Sequence, residues 1–313
     1  MTRVALLLKG VFGETPADLK REGQQVRTAQ AVSRALESLG MEPFYLPLSP
    51  PHFTPLQEVK ADLVFNLYAS TGLEQALVSS LLELTRLPYT GSTPLGHFLA
   101  LHKPWAKSIW RDWSLPTPPS FEHSDPNLDD FPLIVKPDRG GSGEGIYSSC
   151  LVHNKSQLQE QLAWMASFSP LLVERFIAGR ELTVGILGDP PRALPPLEIT
   201  FDRLPPELPP ILSYEAKTRF DELVGIRRAS LSPEMEDEVR RISESAFQAL
   251  NLRHYARLDL RLDEEGQPWL LEANSLPGLD PDYSDFPRAA KLAGISYHQL
   301  IGELVRLALV KSR

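Results

Sequence analysis

Residues 254–278 read HYARLDLRLDEEGQPWLLEANSLPG, and the way this stretch doubles back decides what the chain can be. Side chains alternate across a strand, so Arg257 and Asp259 share one face, roughly 6.6 Å apart, while Leu258 and Leu260 occupy the other. Glu272 and Asn274 repeat that spacing further on. Between them, Asp263-Glu264-Glu265-Gly266-Gln267-Pro268 supplies the glycine and proline of a turn, which predicts an antiparallel hairpin with Asp259 opposite the Glu272/Asn274 pair. An Asp, a Glu and an Asn with no His or Cys nearby suit Mg2+, which takes oxygen ligands and completes its shell with water and substrate phosphates. A half-exposed strand with a solvated face would give the same alternation of Arg257, Asp259, Arg261 and Asp263. The apolar run Trp269-Leu270-Leu271 favours the cation, because a carboxylate beside it would be costly to bury unpaired.

Composition narrows the partners. A chain of 313 residues has room for two or three domains. Apolar content of 42% and charged content of 23% mark a globular protein, and a net charge of −8 argues against non-specific attraction to nucleic acid or acidic lipid, so small-molecule partners are expected. The single cysteine, Cys150, excludes an internal disulfide and a cysteine-rich zinc site, and is expected to be a packed thiol. Val4 to Leu8 is too short for a signal-peptide core, and no stretch reaches the roughly 20 apolar residues that span a bilayer. The expectation is therefore a cytoplasmic protein with no membrane partner.

The first third alternates strand and helix patterns, a parallel-sheet signature of the α/β class. Val4 to Leu8 reads as a buried strand. Val26, Ala29, Val32, Leu36 and Leu39 form a helical stripe closed by Gly40, and Pro43 to Leu48 and Ala61 to Leu67 follow as strands. A second helix is expected to bury Leu73, Ala76, Leu77, Leu81 and Leu84. Helical segments through Lys103 to Trp113 end at Pro116 and Pro118-Pro119. From Leu133 to about Ile186 the pattern is strand, glycine-rich loop, helix and two more strands, with Ser156 as the expected N-cap. A helix from Pro233 to about Leu250 precedes the hairpin, and two helices end the chain.

The segment Ile134-Val135-Lys136-Pro137-Asp138-Arg139-Gly140-Gly141-Ser142-Gly143-Glu144-Gly145 sets a lysine at a strand end before a loop whose backbone N–H groups can approach phosphate oxygens. It is not a P-loop, for no Gly-Lys-Ser/Thr closes it, and a flexible hairpin turn would look similar. The upstream lysine adds a point charge beside those donors. In Leu172-Val173-Glu174-Arg175-Phe176-Ile177-Ala178-Gly179-Arg180-Glu181, Glu174 can accept from an adenine amino group, Phe176 and Ile177 can line an apolar slot, and Glu181 can accept from ribose hydroxyls. A surface strand would also carry such residues.

Lys103, Lys136 with its glycine loop, Glu174 to Glu181, Tyr214-Glu215-Ala216-Lys217 and Arg257 to Gly278 occur in an order that resembles ATP-grasp enzymes, and more closely the D-alanine:D-alanine ligase family. The similarity spans nearly the full chain, including Leu87-Pro88-Tyr89-Thr90-Gly91-Ser92 and Leu271-Glu272-Ala273-Asn274. It implies an ATP-grasp fold: an N-terminal parallel-sheet domain over 1–95, a small central subdomain over 96–183, and a C-terminal subdomain over 184–313, the last two clasping ATP. It also implies that Lys103, Lys136 and Lys217 face the phosphates, and that Ser142 and Gly143 lie in the phosphate-covering loop. Glu174, Arg175, Phe176, Ile177 and Glu181 would hold the nucleoside. Asp259, Glu272 and Asn274 would bind magnesium, two ions, with manganese as a substitute. Residues 214–228 would be a mobile lid. Arg257, Lys217 and Ser142 would be catalytic, with Arg257 stabilising the oxyanion of a tetrahedral intermediate unless it is spent on an ion pair to Asp259.

The acceptor half departs from the family. Where relatives carry a His-Gly-rich acidic loop, this chain has Tyr68-Ala69-Ser70-Thr71-Gly72-Leu73-Glu74-Gln75, keeping Gly72 and Glu74. Neither Gly13-Glu14 nor Arg21-Glu22 clearly matches the family's first-loop glutamate. The lid reads Tyr-Glu-Ala-Lys-Thr, with Thr218 in place of a tyrosine that helps close the substrate site. One extra residue precedes Pro287 where Ser284 would match the family's substrate-carboxylate serine; the substrate candidates that the resemblance implies are Glu74, Gly278 and Ser284. The implied activity is joining two D-alanines with ATP, through an acyl phosphate, in peptidoglycan biosynthesis. The alternatives are a ligase for another amino acid, hydroxy acid or peptide, and a non-catalytic ATP-binding regulator. The resemblance also implies a homodimer.

Overall fold

The computed structural model describes residues 1–10, 16–49, 52–70, 72–121, 126–140 and 145–310. The chain opens with β1 (Arg3–Lys9), α1 (Pro16–Ser38), β2 (Glu42–Leu48), the short α2 (Thr54–Gln57), β3 (Leu63–Asn66) and α3 (Glu74–Thr85). Its three strands form a parallel sheet in the order β2-β1-β3. Parallel strands joined by helices are covered on both faces, which is why Val4 to Leu7 is apolar without alternation. Ala29, Val32 and Leu36 of α1 cover one face, and Val78 and Leu82 of α3 the other. The stripe expected on α3 is rotated: Leu73, Leu77 and Leu84 are exposed, while Gln75, Ala76, Val78, Ser79 and Leu82 are buried. A helix rich in leucine all round presents several possible stripes, and only the docked sheet selects one.

Next come α4 (Pro94–Leu101) and α5 (Lys103–Asp112). Thr93 caps α4 by accepting from Gly96 N, and Pro94 follows it where no N–H is needed. The central sheet contains β4 (Ser120–Phe121), β5 (Leu133–Pro137), β6 (Leu151–Val152) and β7 (Leu171–Arg175), antiparallel in the order β4-β7-β5-β6, with α6 (Lys155–Trp164) against it. The N-cap of α6 is Asn154, which accepts from Gln157 N, rather than Ser156; Ser156 instead bonds Glu160 one turn along. Cys150 is packed in this core, where burial pushes its thiol up to about 11.

The remaining elements are β8 (Arg180–Leu187), β9 (Arg192–Ala193), β10 (Leu197–Thr200), α7 (Tyr214–Thr218), β11 (Gly225–Arg228), α8 (Pro233–Ala249), β12 (Tyr255–Leu262), β13 (Pro268–Asn274), α9 (Asp285–Leu292) and α10 (Tyr297–Leu309). They build an antiparallel sheet in the order β11-β10-β8-β12-β13, with β9 beside β8. Val239, Ile242 and Ala246 of α8 and Ala106 and Trp110 of α5 pack on one face of it. The opposite face carries the polar side chains of β12. The boundary drawn at 183/184 falls inside β8, and α4 and α5, grouped by sequence with the central unit, bury Ala100 and Trp110 in the core of the large sheet. Leu300, Ile301 and Leu304 of α10 share a core with Val32 and Leu36 of α1 and with Val4 and Leu6 of β1.

Candidate functional site

The β12–β13 hairpin forms as its turn chemistry predicts, with Arg257 paired to Asn274 and Asp259 to Glu272. A register slip then intervenes: Leu260 pairs with Leu270, leaving Leu271 as an extra residue on β13. This bulge determines the site. Leu270 and Glu272 have the same parity, so a regular strand would drive both into the core against α8. With Leu271 inserted, Leu270 and Ala273 both point into that core, while Glu272 and Asn274 turn to the face of Arg257 and Asp259.

On that face the Asp259 carboxylate is crowded with donors. Arg257 grips it in a bidentate pair, Nε to Oδ1 at 2.9 Å and Nη2 to Oδ2 at 2.8 Å. Thr183 donates from β8 at 2.6 Å and Asn274 Nδ2 at 3.0 Å. Arg257 therefore takes the ion-pair state, and its Nη1 also lies 3.8 Å from Asp285. Burial opposes its charge, but Asp259, Asp285 and Glu272 outweigh burial and raise its pKa. Glu272 is ringed by cations. Lys103 Nζ stands 3.6 Å from it, and the charges of Lys103, Lys136, Arg257 and Lys217 overcome the burial that would otherwise raise its pKa. Lys217 of α7 reaches the same spot, its pKa lowered by burial and by Arg257 against the pull of Glu272, Asp259 and Glu181.

Lys103 links the hairpin to the glycine loop, because the ammonium beside Glu272 also donates to Gly140 O at 2.9 Å. Ser142 and Gly143 lie outside the described residues. Glu174 does not present a free edge to a base. It is 1% exposed and shared by Lys136 at 2.5 Å and Lys107 at 3.0 Å, the second an ion contact rather than an aligned hydrogen bond. Lys107 was missed by the sequence reading, although it stands one helical turn after Lys103 on α5 and so shares its face. Its other partners are Thr117 Oγ1 and Leu270 O, and burial pushes its pKa down to about 8.

Arg261 was not among the candidate residues either, and the solvated-face alternative would have exposed it. It is 3% exposed and gathers the nucleoside candidates: it donates to Glu181 Oε2 at 2.8 Å and to Ile177 O at 3.0 Å, bonds Pro210 O, and lies over the Phe176 ring at 4.7 Å. Its signal was the same-face parity with Arg257 and Asp259. Gly179, at φ +123°, lets this turn pass under β12; a Cβ there would fall 2.0 Å from Leu262 O. The Arg175 side chain points to solvent.

Helix α7 is docked on residues 146–148. Tyr214 N donates to Ile146 O, Glu215 accepts from Ser148 N at 3.2 Å, and the Tyr214 ring lies 5.5 Å from that of Tyr147. Thr218 turns its hydroxyl back to Tyr214 O. At the acceptor end Glu74 takes Ser70 Oγ at 2.7 Å and Lys9 Nζ at 3.0 Å, and both bonds lower its pKa. Ser284 Oγ accepts from Asp280 N and closes on Gly278, where a Cβ would come within 2.6 Å of it. Gly13-Glu14 lies outside the described residues, and Arg21-Glu22 falls within α1.

Among the described residues no three His, Cys, Asp or Glu side chains converge as a metal cluster. The hard-oxygen set on this face is two opposed carboxylates and an amide. That set fits Mg2+, which needs only one or two carboxylates when phosphate and water supply the rest. The Arg257 fork on Asp259 marks where a cation would compete. Cationic side chains (Lys103, Lys107, Lys136, Lys217, Arg257, Arg261) outnumber the carboxylates among them, which suits a polyanionic ligand in a protein whose net charge is negative.

The family model for the C-terminus of D-ala D-ala ligase matches residues 103–306. The D-alanine--D-alanine ligase of Ectopseudomonas mendocina is 33% identical over 312 residues, covering 96% of this chain and 92% of the relative. The uncharacterised protein y4sG of Sinorhizobium fredii is 33% identical over 318 residues, covering 95% and 92%. In fold, the chain is similar to the crystal structure of the D-alanine--D-alanine ligase of Bacillus anthracis complexed with ATP, with TM-score 0.78, 24% identity, and 99% and 98% of the two chains covered.

Proposed function

The chain belongs to the D-alanine–D-alanine ligase family, and from that premise we propose that it is an ATP-dependent carboxylate–amine ligase whose first substrate choice is D-alanine for both partners. One observation carries the reading: the bulge at Leu271 turns Glu272 and Asn274 to the face of Asp259, within reach of Lys103, which also touches the glycine loop. The carboxylate oxygen of the first amino acid attacks the γ-phosphorus of ATP, the bond to ADP breaks, and an acyl phosphate forms. The second amine then attacks the acyl carbon, loses a proton, and phosphate leaves with its bonding pair.

In this reading Lys103, Lys136 and Lys217 neutralise phosphate oxygens, while Arg261 holds Glu181 and Phe176 in place around the nucleoside. Asp259, Glu272 and Asn274 would hold magnesium, which supplies charge neutralisation between phosphates when bound. To meet the oxyanion, Arg257 would have to give up its fork on Asp259. The docked α7 keeps water from the acyl phosphate.

A second reading, a ligase for a different amino acid pair or peptide, is favoured by one feature. Thr218 carries no phenol and turns its hydroxyl back to Tyr214 O, so the acceptor side is not closed by a lid phenol. The test is ADP formation from ATP and Mg2+ with pooled D- and L-amino acids, products identified by mass spectrometry. D-alanyl-D-alanine as the product supports the first reading, another dipeptide the second. ATP binding without amino-acid-dependent ADP would refute both and leave a nucleotide-binding regulator.

A further inference from the structure

A buried polar chain joins the acceptor loop to the end of the metal strand. Gln75 of α3, His97 of α4 and Ser275, which follows β13, are each 5% exposed or less. Ser70 N donates to Gln75 Oε1 at 3.3 Å, and Gln75 Nε2 donates to Ser275 Oγ at 3.0 Å. His97 Nδ1 lies 3.0 Å from Gln75 Nε2 and 2.7 Å from Ser275 Oγ.

The donor logic leaves one arrangement. Ser70 N–H can only donate, so the Gln75 amide must turn its oxygen to Ser70 and its nitrogen to His97 and Ser275. An amide nitrogen is also only a donor, so His97 Nδ1 must accept, and the ring proton sits on Nε2. Burial, with Arg253 nearby, keeps that ring neutral.

The chain ends matter for function. Gln75 adjoins Glu74, whose carboxylate is bonded by the same Ser70, and Ser275 adjoins Asn274. We infer that Gln75 and His97 are positioning residues that set the Ser70 turn and the α3 N-terminus carrying Glu74 against the strand end carrying Asn274, so that the amino-acid site and the phosphate site keep one spacing. The kinetic form of this inference rests on the ligase reading. His97 and Gln75 touch neither substrate; they act through Ser70 and Ser275.

The test compares His97→Phe, which keeps a ring but deletes the acceptor, with His97→Asn, whose side-chain oxygen can occupy the place of Nδ1. Steady-state kinetics should show the KM for amino acid raised about tenfold in His97→Phe and largely restored in His97→Asn, with the KM for ATP within about twofold in both. Amide hydrogen exchange of residues 68–77 should accelerate about tenfold in His97→Phe and recover in His97→Asn. Equal behaviour of the two variants, or parallel rises in both KM values with unchanged exchange, would overturn the positioning role. A wild-type chain that turns over no amino acid overturns the ligase reading instead, and the exchange measurement then decides the positioning role alone.

Discussion

Glu174 keeps its negative charge in a place that excludes water because two ammonium groups share it. Burial alone would raise its carboxyl pKa, yet Lys107 and Lys136 hold it below the usual range. Breaking such a buried set by removing one partner leaves uncompensated charge, at about 3–5 kcal/mol. Glu174→Ala is therefore expected to lower unfolding free energy by that amount in urea titrations; a loss under about 1 kcal/mol would mean that the carboxylate is not shared in this way. His97 and His254 show the opposite effect, each pushed down to about 3 by burial, with Arg253 adding to it. An unfolded histidine titrates near about 6.5, so between that pH and about 3 the unfolded chain binds protons that the folded one refuses. The stabilisation is complete above the unfolded value and is lost as pH falls. Each histidine contributes a slope of about 1.4 kcal/mol per pH unit. His97→Asn should remove one such slope from stability measured between pH 6 and 4, and an unchanged slope would show that His97 is not buried and neutral.

Among the elements, α3 separates pattern from packing most clearly. Leu82 is 0% exposed and Leu84 is 79% exposed, although both lie on a helix with leucine on several sides. Leu82→Ala should cost about 2–5 kcal/mol through lost transfer energy and the cavity left behind, whereas Leu84→Ala should stay within about 0.5 kcal/mol. Thermal denaturation of the two variants checks the orientation, and equal losses would contradict it. The hairpin teaches the complementary lesson. Its strands and turn were legible because Gly266, Pro268 and the alternation of β12 are local signals. The slip at Leu271 was not, since a bulge inside an apolar run leaves no mark in composition. Arg261 was passed over for a related reason: alternation names a face but not what covers it, and here Phe176, Ile177 and Glu181 do.

Across the molecule, the site is assembled from the neighbourhoods of two sheets: Lys136 and Glu174 from the central sheet, and Lys103 on α5, Asp259, Glu272 and Lys217 on α7 from around the large sheet. A ligand bridging them should stabilise the whole. A non-hydrolysable ATP analogue with Mg2+ at about 100 times its Kd should add about 2.7 kcal/mol, seen as a melting transition several degrees higher, and chelation of Mg2+ should remove most of that gain. An unmoved transition under both conditions would count against nucleotide binding in this cleft. Gly140 and Lys103 meet in it.

The sequence by itself determined the strand and helix order of the first third, the hairpin and the oxygen-bearing residues, because each rests on periodicity or turn chemistry within a few neighbours. The tertiary structure alone decided which way Glu272 and Asn274 face, that Arg257 rests on Asp259, that Glu174 belongs to two lysines, and that Gln75, His97 and Ser275 meet. Those outcomes depend on charge and hydrogen-bond partners brought from distant elements into a space without water, where a side chain's neighbours, rather than its own chemistry, set what it does.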